Sequence, residues 1–195
     1  MSSPTEEEVA YHEAGHAVMA YLIGKRIKKI TIIPSDSLLG QVEHSGFSKK
    51  SEELESTDYW NYSMRKLVDG DVMLHYAGQI AQAYYSGKSP EAGSYSDDQK
   101  AAHMAINVTG SAEELDAYLY WLYVRTQKLI CSEMNWPLIE AVAKELMSVK
   151  KMSGRRARKI IQEAHNAYVS SFYKSHTQKM STQIDEGFEV NNIFC

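Results

Sequence analysis

The residues best suited to chemistry are His12-Glu13-Ala14-Gly15-His16. Histidines four apart on a helix differ by about 40° in azimuth and about 6 Å in rise. Both imidazoles then reach one metal from the same face, and this H-E-x-x-H spacing suits zinc. Glu13 is offset from His12 by about 100°. It therefore stands beside the metal rather than on it, where a carboxylate can take a proton from water. Ala14 and Gly15 are small and let other elements pack closely. The chemistry is metal-assisted hydrolysis. A catalytic zinc also needs a third protein ligand, with a fourth position left open. The bland alternative is a pair of helix histidines with a nearby acid and no metal.

These residues need a helix, and the sequence supplies one over residues 5–23. Pro4 suits a first helical position after Ser3, Glu6, Glu7 and Glu8 complement the dipole in the first turn, and Gly24 is a stop. The pattern is read as an amphipathic helix. Residues 26–33 are β-branched and bounded by Pro34, which predicts a strand. Asp36-Ser37 makes a turn, and residues 39–45 form a second, more polar strand suited to a sheet edge. Residues 47–56 are a polar loop. Helical spacing runs over 57–85, interrupted near Gly70, and residues 86–95 form a Gly/Pro-containing loop. Further helices are predicted from about Ser96, over 112–132, from Asn135-Trp136-Pro137 to about 147, and over 154–172 behind Ser153 as N-cap. Residues 175–195 are polar with scattered apolar positions and are expected to be a flexible tail. The expected fold is mainly α (α+β). It comprises one domain over 1–174, a small N-terminal sheet or hairpin, and a C-terminal helical bundle.

Composition narrows the partners. Twenty-one basic against 25 acidic residues leave a net charge of −4, which disfavours a phosphate-backbone binder, so no nucleic acid is expected. The cluster Lys150, Lys151, Arg155, Arg156, Arg158 and Lys159 reads as a solvated helical face. Two cysteines cannot form a disulfide framework. Cys131 reads as a buried small hydrophobe, and the terminal position of Cys195 does not fit prenylation. The apolar run 17–23 is far shorter than the roughly 20 residues of a membrane span. The N-terminus lacks the charged and apolar regions of a signal peptide. The expectation is a cytoplasmic chain with no membrane span. Gly87-Lys88-Ser89 does not complete a P-loop, because Gln82 stands where the first glycine belongs. His44, His75, His103, His165 and His176 lack ligand spacing to one another. Tyr118, Tyr120, Trp121 and Tyr123 are expected to pack in the core or a groove.

A longer set of segments narrows the reading further. Residues 9–18, then Ile30-Thr31-Ile32-Ile33-Pro34 and Leu39-Gly40, continue with Ala77-Gly78-Gln79-Ile80-Ala81 and Gly93-Ser94-Tyr95-Ser96-Asp97. Ala101, residues 138–146 and Ser153-Gly154 follow in order. Together they resemble the peptidase domain of FtsH-type ATP-dependent zinc metalloproteases over about residues 8–165. In that family an aspartate opening a later helix is the third zinc ligand. The resemblance carries that role to Asp97, with Asp98 as the neighbouring rival. The metal set it implies is His12, His16 and Asp97, with Glu13 as the catalytic base. The family usually carries an arginine and paired glutamates where this chain has Gln79, Gln82 and Ala83, so the ion pairs of that helix do not carry over. FtsH-type proteases also carry membrane helices and an ATPase domain before the peptidase, whereas this chain starts almost at the peptidase.

The resemblance implies a zinc-dependent metalloendopeptidase acting on flexible or unfolded polypeptides, ATP-independent within this chain. Substrate would add a strand along the 39–45 edge. A homo-oligomer and a separate ATPase partner both stay open. The rival readings are a zinc-binding regulatory or interaction module with restrained or no peptidase activity, and a peptidase that cuts one regulatory protein.

Overall fold

A computed structural model of the chain describes residues 3–35, 39–44, 62–88 and 95–186. Among these residues there are six α-helices and three short strands, so the fold is mainly α. Helix α1 is Glu6–Leu22. Thr5, rather than Ser3, is its N-cap: the Thr5 side chain accepts from the Glu8 backbone, and the Glu8 carboxylate accepts from the Thr5 N–H at 2.7 Å. This reciprocal capping satisfies two orphan donors and displaces Pro4 out of the first turn. At the other end Ile23 caps the helix and Gly24 takes a φ of +77°, which only glycine adopts without strain.

α1 is more enclosed than the amphipathic helix its sequence suggested. Between residues 8 and 20 every side chain is buried except two half-buried ones, and those two are His12 and His16. A helix enclosed on nearly all sides is a core element. Its enclosing partners are α2 (Tyr62–Ser86), α5 (Trp136–Val149) and strand β1 (Ile27–Thr31). Gly15 makes the closest of these approaches possible. A Cβ there would press into the Ala77 carbonyl oxygen and lie 2.7 Å from the Ala81 Cβ. Helix α2 runs without a break through Gly70, which sits against the Ile23 side chain.

Strand β1 is the centre of a three-stranded antiparallel sheet, flanked by β2 (Gln41–His44) and β3 (Lys151–Ser153). β2 is a sheet edge, as its polar alternation predicted. β3 had no signal of its own, since three residues cannot display a period. It is placed by the turn that ends α5, where Lys150 adopts a φ of +58°. The Lys150 carbonyl then accepts from the Ile32 N–H at 2.9 Å, which ties the turn to the sheet.

Helices α3 (Tyr95–Ala105) and α4 (Ala112–Ile130) pack on α2, and α6 (Gly154–Glu186) follows β3. Ser153 caps α6 through the Arg156 N–H. α6 continues past the expected end near 172. The expected 47–56 loop lies outside the described residues, as do residues 89–94 of the expected 86–95 loop and the last nine residues of the expected tail. The aromatic expectation held only for part of α4. Tyr118 is buried and its hydroxyl donates to Asp69, but Tyr120 is 71% and Trp121 49% exposed. Arg155, Arg156, Arg158 and Lys159 are exposed on α6, with Arg156 paired to Glu145. Among the described residues no helix is long and apolar enough to cross a membrane.

Candidate metal centre

The helical spacing of His12 and His16 does what geometry requires. Their Nε2 atoms lie 3.0 Å apart, with the rings inclined at 75°. Each outer nitrogen is held by α2. His16 Nδ1 lies 2.7 Å from the Leu74 carbonyl, and His12 Nδ1 lies 3.1 Å from Gln82 Oε1. A carbonyl oxygen can only accept, so both Nδ1 atoms carry the ring proton. Both Nε2 lone pairs therefore face the space between them.

The opening turn of α3 brings a third group to that space. Asp97 Oδ2 lies 3.5 Å from His12 Nε2 and 3.4 Å from His16 Nε2. His12, His16 and Asp97 are, among the described residues, the one set of three that could hold a metal ion. Three acceptors converging in a partly buried site repel one another unless a cation lies between them. Two imidazole nitrogens and one carboxylate oxygen make a donor set suited to zinc, with a position to spare. Asp98 points elsewhere: its Oδ1 accepts from Gln79 Nε2 at 2.7 Å.

Glu13 is buried beside the cluster, only 6% exposed. Burial pushes its carboxyl up to about 7, against the nearby His12, while the Asp97 charge raises it further and Lys100 opposes. A carboxyl near 7 is matched to taking and returning a proton at neutral pH. Gly40 abuts it, since a Cβ there would stand 2.6 Å from Glu13 Oε1. The start of edge strand β2 therefore passes directly over this carboxylate. The raised value also has a consequence for the chelator-treated chain. Its contribution to stability is fully present below the unfolded value of about 4.5 and is lost as pH rises through about 7. Glu13→Gln should remove this slope, worth ~3 kcal/mol across that window. Urea midpoints at pH 5 and pH 8 measure it, and equal slopes in both proteins would contradict the burial account.

Three residues of this site have no signal in the H-E-x-x-H pattern. His75, set aside for lacking ligand spacing, has its Nδ1 3.4 Å from Asp97 Oδ1. Gln82 holds His12. Gly78 leaves the room both rings occupy: a Cβ there would collide with His16 Nε2 and lie 2.7 Å from His12 Nε2. The signal was present as a ladder. Asp71, His75, Gly78 and Gln82 recur at three- and four-residue steps within a helix whose other buried positions are mostly apolar. His103 is exposed, and Cys131 is half-buried with its thiol pushed up by burial. Lys88, from the rejected phosphate-loop segment, pairs with Glu8 at 2.9 Å.

Residues 1–190 match peptidase family M41. The chain belongs to that family. Among curated relatives, this M41 chain is 26% identical to ATP-dependent zinc metalloprotease FtsH 3 of Conexibacter woesei, over 94% of this chain and 22% of the relative. It is 24% identical to ATP-dependent zinc metalloprotease FtsH of Haemophilus influenzae, over 83% of this chain and 26% of the relative. Its identity to the FtsH of Marinobacter nauticus is 34%, over 55% of this chain and 16% of the relative. The M41 chain thus spans about a quarter or less of the length of these relatives. The family is one of metalloproteases, and the FtsH-type resemblance read from the sequence agrees with it.

Proposed function

We propose that this M41 chain is a zinc-dependent metalloendopeptidase of flexible or unfolded polypeptides, ATP-independent within its own residues. His12, His16 and Asp97 hold the zinc, and Glu13 is the general base. The observation that carries this reading is the convergence of three acceptor atoms next to a buried carboxyl that, among the described residues, no side chain neutralises by contact. Bound there, zinc supplies a Lewis acid that polarises a carbonyl and makes water more acidic. The remaining steps belong to the chain. Leu74 and Gln82 hold the two rings in the tautomer that turns Nε2 inward. Glu13 takes the proton of the attacking water and passes it to the leaving amine. The polypeptide lies along β2, pairing by main-chain hydrogen bonds beside Gly40 and Glu13. Backbone pairing recognises an extended chain and little else, so sequence preference is loose and folded proteins are poor substrates.

The reading extends to organisation. Residues 1–174 form the peptidase unit, in a cytoplasmic protein that self-associates or receives substrate from a separate ATPase. The test is turnover of an unfolded, casein-like substrate. Chelation should abolish it, and zinc should restore it. Asp97→Ala should lose metal affinity by at least roughly a hundredfold, as expected for a lost zinc ligand. Chelator-resistant turnover would refute the proposal. Zinc binding without turnover would favour the regulatory-module reading instead.

A further inference from the structure

We infer that His75 is a positioning residue for the metal centre, holding the Asp97 carboxylate in the rotation that presents Oδ2 to His12 and His16. The inference rests on the zinc reading above and adds a residue that the H-E-x-x-H pattern does not contain. Asp97 offers its two oxygens to different neighbours. Oδ2 faces the two Nε2 atoms, whereas Oδ1 faces His75 Nδ1 at 3.4 Å and Lys100 Nζ at 3.2 Å. The terminal torsion of an aspartate is soft and broadly distributed, so the carboxylate needs an outer contact to hold one rotation. The two outer contacts differ in kind. The Lys100 side chain is 54% exposed and flexible, and its charge is screened by solvent. The His75 side chain is 10% exposed, carried on the interior of α2, and confined by the core around it. Only the imidazole has both the direction and the rigidity to orient the ligand. Asp71, one turn earlier on α2 and ion-paired with Lys25, lies within electrostatic reach of the His75 ring. Hydrogen-bond partners of ligating groups typically contribute roughly 10–100-fold to metal affinity.

The test compares zinc affinity, by competition with a coloured chelator at fixed pH, in the full chain and in His75→Leu, His75→Gln, His75→Asn and Asp97→Ala. Cobalt-substituted samples give the ligand-field spectrum as a second readout. An asparagine amide can place a donor where Nδ1 stood, whereas glutamine places it too far along. Leu and Gln should weaken zinc roughly 10–100-fold and alter the cobalt spectrum. Asn should recover to within about threefold, with the spectrum of the unsubstituted chain. A purely structural histidine would not yield this order, because Gln retains more of its bulk than Asn. Should His75→Leu fail to fold, the Gln and Asn pair carries the comparison. The inference is overturned if Gln and Asn bind zinc alike, or if all three match the unsubstituted chain while Asp97→Ala loses the metal. If Asp97→Ala itself retains zinc, the metal-centre reading is what fails.

Discussion

Glu13→Gln is expected to lower peptide hydrolysis by roughly 10²–10⁴-fold while leaving zinc affinity within about threefold. The asymmetry follows from where the residue stands. Glu13 is one position from His12, so its side chain leaves the helix at a different azimuth and lies beside the ligand atoms. It is buried, and its carboxyl is pushed up to about 7. A group of that strength can accept a proton in one step and release it in the next. Glutamine has nearly the same shape and fills the same space against Gly40, but it cannot accept the proton. The loss should fall on kcat, with KM little changed, because the backbone pairing along β2 does not use the Glu13 side chain. Zinc content after dialysis and steady-state cleavage of an unfolded substrate measure the two quantities separately. Cleavage by Glu13→Gln at an undiminished rate would remove Glu13 from the chemistry. Parallel loss of zinc and turnover would recast it as a contributor to metal retention.

Gly78→Ala should cost the metal centre roughly 10–100-fold in zinc affinity, although helix propensity points the other way. In the interior of a helix alanine is favoured over glycine by about 1 kcal/mol. Propensity alone would therefore predict a more stable α2. The space beside Gly78 decides otherwise. A methyl group there would overlap His16 Nε2 and stand 2.7 Å from His12 Nε2. Both rings are held from behind, by Leu74 and Gln82, so neither can retreat without breaking a hydrogen bond. Overpacking of this kind commonly costs 1–3 kcal/mol, roughly what the steric account needs to reverse the propensity gain. The expected signature is a folded, helical protein by circular dichroism that no longer retains zinc through dialysis. Normal zinc retention in Gly78→Ala would show that the rings have room that the backbone geometry denies them.

The two predictions draw on different kinds of information. The role proposed for Glu13 is readable in five consecutive residues, since helical periodicity alone places a carboxylate beside two converging rings. The Gly78 effect is not, because a glycine inside a helix reads only as a weak point until the neighbouring helix is known. Asp97 lies between these cases. It reaches the histidines across 81 positions of sequence (97 − 16), and the residues at hand could not choose between it and Asp98; family resemblance made that choice. In the structure Asp98 is taken up by Gln79, and Asp97 alone faces the rings.

Helix identities, the stop at Gly24, the polar edge strand and the metal-binding pattern are all local matters. They follow from spacing, capping and charge within a few residues of one another, which is why the amino-acid order by itself determined them. Packing decided the rest. It buried α1 on nearly every side, added β3 to the sheet from the far end of the chain, and turned Tyr120 and Trp121 outward. It also set His75 behind Asp97 and Gly78 under the rings. Those placements depend on which helix lies against which, and at what distance. A periodic pattern states which face of a helix is apolar, but it does not say what meets that face.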